Sequence, residues 1–338
     1  MSRSRTASQR RRSGRHVVSG ALTCAPCARA YPIDRGVPDF VRGADAVAEV
    51  SQTTEGFAGN WREYNRVILS NELLNRELFA DWVWPLAPTY LADKVVVEAG
   101  CGMGRWLCVA AAQSPRALIG FDYSTIAWTA FKNTAHLENV HVLRADIFHP
   151  PIRAIVDVQY SIGVVHHTPD PARAFASLQS LLNPTGVGSA WVYGKENNGW
   201  ITRFIDPLRT HVTSRMPEPA LHAIAVAAAA QLKLTSELYA LSGPLAKLPY
   251  RDYLLHLRDY PLDYMSHIVF DHLVPSLAHY VPREEVESWA RGLPHLVTPR
   301  NGNSWRLLVG ATEGAIAAAI EPLSLSDVAA HARAAGAS

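Results

Sequence analysis

Four short stretches carry side chains suited to chemistry on a bound ligand. The first is "VVVEAGCGMGRW", Val95 to Trp106, in which Glu98 stands two residues ahead of Gly100, Gly102 and Gly104. The glycines allow close backbone approach, but the third glycine of a dinucleotide loop, G-x-G-x-x-G, would fall at 105, which is Arg105. No Lys-Ser or Lys-Thr follows, so the phosphate loop of an NTPase is excluded. A carboxylate beside such a turn repels phosphate and attracts a cation. The second and third stretches contribute Asp122, in "LIGFDYS", and Asp146 followed by Ile147, in "RADIFHPP". The fourth, "SIGVVHHTPDP" from Ser161, brings His166 and His167.

Strands must hold these residues at one edge. Lys94–Glu98, Ala117–Asp122, Val140–Ala145, Val156–Ile162 and Gly188–Tyr193 read as buried strands. Helices over Gly104–Gln113, Thr125–His136 and Pro171–Leu182 alternate with them. That alternation predicts an α/β fold, a doubly wound, mostly parallel sheet. Ligands of such sheets bind outside the carboxyl ends of the strands, where all four stretches fall. An acid after the second strand can accept both ribose hydroxyls, and one after the third can accept from an exocyclic adenine amine. Glu98 favours an amine. Ribose, adenine, an amino group and no phosphate together describe S-adenosylmethionine.

The same stretches, with "VHVLRADIFHPP" and "SIGVVHHTPDPARAFASLQSLLNPTGVGSAWVYG", resemble the successive motifs of class I S-adenosylmethionine-dependent methyltransferases, in the branch that includes the ubiquinone/menaquinone-biosynthesis enzymes. The resemblance is strong over roughly residues 90–195. It implies a Rossmann-like methyltransferase fold in which Gly100, Gly102 and Gly104 line the methionine part, Asp122 holds the ribose, and Asp146 with Ile147 flanks the adenine. A turn "NPTGVGS" replaces the family's usual Pro-Gly-Gly.

The rest of the chain is organised around that core. Residues 1–20, with Arg3, Arg5, Arg10, Arg11, Arg12 and Arg15, read as a disordered basic tail, either solvated or able to touch a polyanion. Residues 21–43 hold Cys24 and Cys27 and resemble half of a small zinc ribbon, like that of the activator subunit of tRNA and protein methyltransferases. A zinc site needs four ligands, so no metal is expected there and the unit is read as a docking element. Residues 44–92 read as N-terminal helices, 93–194 as the cofactor-binding core, 195–281 as a helical cap, 282–310 as returning core strands and 311–338 as an Ala-rich helical tail.

Composition narrows the class. Hydrophobic residues make up 48% and charged residues 18% of 338, with a net charge of +2, which suits a globular protein without a general nucleic-acid signal. No apolar run approaches the roughly 20 residues of a membrane span, and four cysteines do not make a disulfide scaffold; a cytoplasmic location is expected.

Methyl transfer from a sulfonium chiefly needs alignment of the acceptor. His166 and His167 are candidates for a base, or else shape the loop. In the cap, Tyr250, Arg251, Asp271 and His272 are candidates for the acceptor pocket, and equally for a hydrogen-bonded core. The leading expectation is a methyltransferase acting on a small molecule. RNA methylation and a non-catalytic cofactor-binding subunit are the alternatives.

Overall fold

The computed structural model describes residues 11–13, 16–41, 48–241, 255, 257–275, 277–324 and 326–328. Strands β1 (Arg11–Ser13), β2 (His16–Thr23), β3 (Ala30–Asp34) and β4 (Val37–Pro38) form a small antiparallel sheet. Of the tail expected to be disordered through residue 20, residues 11–13 and 16–20 are strand, and residues 1–10 lie outside the described ones. Composition concealed the reason. β2 pairs with β3 from Gly20↔Ile33 to Thr23↔Ala30, and the His16 ring packs edge-on against Phe131, centroids 5.4 Å apart.

Helices α1 (Ala48–Glu63), α2 (Asn65–Ser70) and α3 (Glu72–Val83) follow. The main sheet then builds through β5 (Val95–Ala99), α4 (Arg105–Ala111), β6 (Ala117–Asp122), α5 (Ala127–Thr134), β7 (Val140–Arg144), β8 (Val156–Ile162), α6 (Pro171–Gln179) and β9 (Leu182–Tyr193). Within the cap lie α7 (Asp206–His211), α8 (Glu218–Leu241) and α9 (Leu262–Leu273). The chain returns to the sheet with α10 (Arg283–Trp289), β10 (His295–Arg300), β11 (Ser304–Gly310) and α11 (Glu313–Ile320).

The seven strands lie in the order β10-β11-β9-β8-β5-β6-β7, with β11 antiparallel to both neighbours and β5 to β9 parallel. Parallel strands are covered on both faces, so they read as nearly continuous apolar runs, and "VVVEA" is such a run. Val96, Leu118, Val158 and Leu308 pack into one layer, against α3, α4 and α11. Val97, Ala99, Phe121 and Val192 pack into the other, against α6 and α10. The order reverses between β5 and β8, which places the switch point beside the glycine turn.

The small N-terminal sheet docks on the edge strand β7. Asp39 bridges Arg144 in parallel, Phe40 N donates to Arg144 O at 2.8 Å, and the Arg144 guanidinium meets Asp39 at 3.1 Å. This covers an edge that would otherwise offer unpaired backbone groups. At the other end of the core, the cap leaves and returns at one place. Val281 N donates to Tyr193 O at 2.9 Å and Lys195 N to Val281 O at 3.1 Å. Among the described residues no helix is long and apolar enough to cross a membrane.

Candidate functional site

The turn after β5 takes Gly100 and Gly102 through φ of +72° and +52°, a region that side chains disfavour. The two missing Cβ positions also face occupied space. One at Gly100 would lie 2.3 Å from Val164, and one at Gly102 would lie 2.5 Å from the Trp61 ring of α1. Gly104, at φ +84°, opens α4.

Asp122 ends β6, and its carboxylate is tied into the turn. Oδ2 accepts from Gly102 N at 2.9 Å, while Oδ1 accepts from Ser124 N at 2.9 Å and Ser124 Oγ at 2.7 Å. Burial pushes its carboxyl above the usual range, against the pull of those hydrogen bonds. Asp146 follows β7 and accepts from Phe148 N at 2.9 Å, with His149 Nδ1 3.0 Å from its other oxygen; Ile147 packs beside it on the lower layer. Ser161 Oγ donates to Ala99 O at 3.1 Å, joining β8 to β5 across the switch point.

Glu98 is 1% exposed and lies in the core layer that holds Tyr160, whose Oη donates to it at 3.2 Å. Burial holds its carboxyl well above the usual range.

His166 and His167 sit in the turn after β8, rings 4.3 Å apart. His167 Nδ1 lies 2.7 Å from Leu277 O and is therefore the protonated nitrogen. Burial pushes His167 down to about 3 and His166 well below its ordinary value. Groups so reluctant to take a proton are poor bases near neutral pH, and the base role loses its support.

Above the glycine turn lies a polar cluster that the sequence reading named only in part. Asn60 Nδ2 donates to Asp271 Oδ1 at 2.5 Å and lies 3.0 Å from His267 Nδ1. Trp61, the ring on Gly102, also hydrogen-bonds the Asp271 carboxylate. Arg105 donates to Tyr264 Oη and, through Nε, to Asn75 at 2.8 Å, with its guanidinium 3.9 Å from the Trp106 ring centre. Burial raises Asp271 to about 7 and lowers His267 to about 3.

Asp271 thus reaches the glycine turn through Trp61. His272 stands instead beside Tyr193, ring centroids 6.2 Å apart, at the end of β9. Tyr250 and Arg251 lie outside the described residues. Asn60 and Trp61 were missed, although Phe57, Asn60, Trp61 and Tyr64 share one face of a helix by spacing alone.

The cysteine pair sits in the β2–β3 turn, Cys27 exposed, its thiol lowered by the backbone of Arg29 and by Cys24. Among the described residues no group of three or more metal-ligating side chains occurs. A cavity of about 460 Å³ opens between the β3–β4 end of the N-terminal sheet and α5, lined by Asp34, Arg35, Arg62 and Trp128.

Three adjacent parallel strands whose carboxyl ends carry a glycine turn and two acids define a nucleoside-binding domain of the methyltransferase kind. Residues 97–189 match the family model described as a methyltransferase domain. The core is accordingly an S-adenosylmethionine-dependent methyltransferase domain, and S-adenosylmethionine is its cofactor. Its residues fit that group. The glycine turn offers bare backbone, and Asp122 Oδ2, which accepts one hydrogen bond, has capacity for a second from a ribose hydroxyl.

A tRNA U34 carboxymethyltransferase from Pseudoalteromonas translucida is 29% identical over 119 residues, 33% of this chain and 37% of that protein. One from Sulfurovum sp. is 32% identical over 126 residues, 32% of this chain and 40% of that protein. The chain therefore spans well under half the length of these two curated relatives. Among solved structures, a SAM-dependent methyltransferase from Thermotoga maritima is 14% identical, covering 77% of this chain and 100% of that one, with a TM-score of 0.42.

Proposed function

We propose that the protein transfers a methyl group from S-adenosylmethionine to a small-molecule acceptor held under the cap. The observation that carries this reading is the placement of Gly100–Gly104, Asp122 and Asp146 at the ends of β5, β6 and β7, three neighbouring strands. Asp122 would accept from the ribose hydroxyls, Asp146 from the adenine amine, and the backbone of the glycine turn would lie along the amino-acid part. The bound cofactor supplies a methyl group already activated on its sulfonium. The protein's share is alignment, which can contribute roughly 7–11 kcal/mol, and exclusion of water. Trp61 and Val164 roof the turn and serve that exclusion. With both histidines after β8 held neutral, no base is assigned, and the acceptor is one that reacts without prior loss of a proton or loses it to solvent.

Enclosure favours a small acceptor: His166 after β8 and His267 of the cap helix α9 are both buried. RNA is kept as a second reading because the curated relatives are named as tRNA U34 carboxymethyltransferases. The contact of the N-terminal sheet with β7 supports its reading as a docking element, and its derivation from a zinc ribbon is part of the proposal. Membership of the quinone-biosynthesis branch remains part of the proposal.

Calorimetry with S-adenosylhomocysteine tests the cofactor side, and absence of binding by the native protein would sink the reading. Methyl-labelled S-adenosylmethionine, incubated with the protein and a fractionated cell extract, tests the acceptor. Label in the small-molecule fraction is expected. Label in the tRNA fraction alone would replace it with the RNA reading.

A further inference from the structure

The end of β9 carries a second cluster, which the cofactor side does not use. Tyr193 is its centre. The His166 ring lies 4.0 Å from it, His167 5.6 Å, Tyr280 5.6 Å and His272 6.2 Å, centroid to centroid. His279 is tied to the same place, since its backbone N donates to His166 O at 2.8 Å. Arg209 of α7, only 2% exposed, reaches in from the cap. It donates to Asp206 and shares a hydrogen bond with Tyr280, and its charge is felt by His166, His167 and His272.

Several polar atoms here have nothing to bond. His166 Nδ1 and Nε2, His279 Nε2 and Arg209 Nε are all buried without a hydrogen-bond partner. Each such atom costs about 1–3 kcal/mol when left unpaired, and whole domains are stable by only about 5–15 kcal/mol. A fold that concentrates this cost in one spot is organised around something that relieves it. The chemistry of the donors narrows what that is. A guanidinium with a free Nε–H and imidazoles that gain a proton beside negative charge are the side chains that recognise oxyanions. The five elements that meet here are the turn after β8, the end of β9, α7, α9 and residues 277–281, at the same carboxyl edge as the cofactor loops.

We propose that Arg209, His166, His272 and His279 form an oxyanion site that seats a carboxylate or phosphate group of the acceptor against Tyr193. The assignment to the acceptor rests on the methyl-transfer reading. Asp206 neutralises one edge of the guanidinium, leaving Nε and the histidines to read the ligand. An acceptor bearing such a group would be anchored at one end by this site and would present its methyl-accepting atom toward the glycine turn.

The test follows histidine Cε1 signals by NMR in the full chain loaded with S-adenosylhomocysteine, titrated separately with inorganic phosphate and acetate at constant ionic strength. A saturable shift of the His166, His272 and His279 signals is expected with at least one anion, and the tighter of the two identifies phosphate or carboxylate. Arg209→Gln should weaken that binding at least about tenfold, as befits loss of a charged hydrogen bond. His279→Gln should weaken it several-fold while keeping Arg209 in place, and this variant decides the matter if Arg209→Gln does not fold. Both should retain S-adenosylhomocysteine affinity by calorimetry. Absence of saturation by either anion, or native-like titration of His279→Gln and any folded Arg209→Gln protein, overturns the proposal. Saturable anion binding in a protein that fails to bind S-adenosylhomocysteine would overturn it as an acceptor site and the methyl-transfer reading with it.

Discussion

At the ends of β6 and β7 the polar side chains are satisfied close to home, whereas under the cap they are satisfied across the chain or left unpaired. Asp122 and Asp146 each bind a backbone N–H two residues on, and the longer bond from Gly102 N to Asp122 spans 20 residues. On the other side, Asn60 meets Asp271 over 211 residues, Arg105 meets Tyr264 over 159, and His167 meets Leu277 over 110. The cofactor side is thus built from turns that form wherever the local sequence forms. The cap side exists only once α1 and the cap have docked, so it depends on the whole fold.

Acid should separate the two sides most clearly. Burial lowers His166, His167, His267 and His272, to about 3 for His167 and His267 and about 4 for His272. Below the unfolded value near 6.5 the unfolded chain takes up protons that these folded groups refuse, so acidification destabilises the fold. Glu98 and Asp122, with Asp271 at about 7, are raised. Their folded forms hold protons that the unfolded chain has already lost, so acidification restores stability through them. With His141, also lowered by burial, five imidazoles outnumber three carboxyls. The melting temperature should therefore fall between about pH 6.5 and 4.5, at about 1.4 kcal/mol per pH unit for each net proton. His267→Gln should flatten that slope. A melting temperature that rises with acid would remove the distinction.

Asp122→Ala tests the local side. The lost charge-assisted hydrogen bonds should weaken S-adenosylhomocysteine binding about 10- to 100-fold by calorimetry. Unchanged affinity would mean that the end of β6 does not hold the ribose. On the long-range side, Asn60→Ala strips both His267 and Asp271 of a partner. It should cost about 1–3 kcal/mol in denaturant unfolding, with cofactor affinity changed far less than by Asp122→Ala. Equal effects on both measurements would show that the two sides are one unit. The smallest effect is expected for Cys24→Ser with Cys27→Ser, in an exposed turn remote from both sides: within about 0.5 kcal/mol of native stability. A larger loss, or zinc released on denaturation, would make the N-terminal sheet a metal-dependent domain.

What was legible in the sequence follows the same division. β6 and β8 fall where the apolar runs place them, Ala117–Asp122 and Val156–Ile162. β9 begins at Leu182 rather than Gly188, because Pro184 and Gly186 read as a turn while the irregular pairing with β8 accommodates them. The acids after β6 and β7 announce themselves because a strand end and its turn are contiguous. Arg209, Asn60 and Trp61 do not, since nothing in a helix's own sequence says which remote helix it will face. The burial of Glu98 was hidden for a related reason. Strand alternation puts it on the face of Val96, into a core layer whose Tyr160 partner lies 62 residues away.

The hydrogen bonds that join Tyr193 and Lys195 to Val281 bring the two ends of the cap together on the sheet. The cap is thus a closed insertion, held further to the core by contacts such as Arg105 with Tyr264 and Asn60 with Asp271. Closing an insertion of this kind costs an entropy that grows only with the logarithm of its length. A longer, shorter or altogether different cap can therefore be spliced between the same two strands at little cost to the scaffold. If the cap seats the acceptor as proposed, acceptor preference becomes a modular trait, open to exchange by recombination while the cofactor loops are inherited intact.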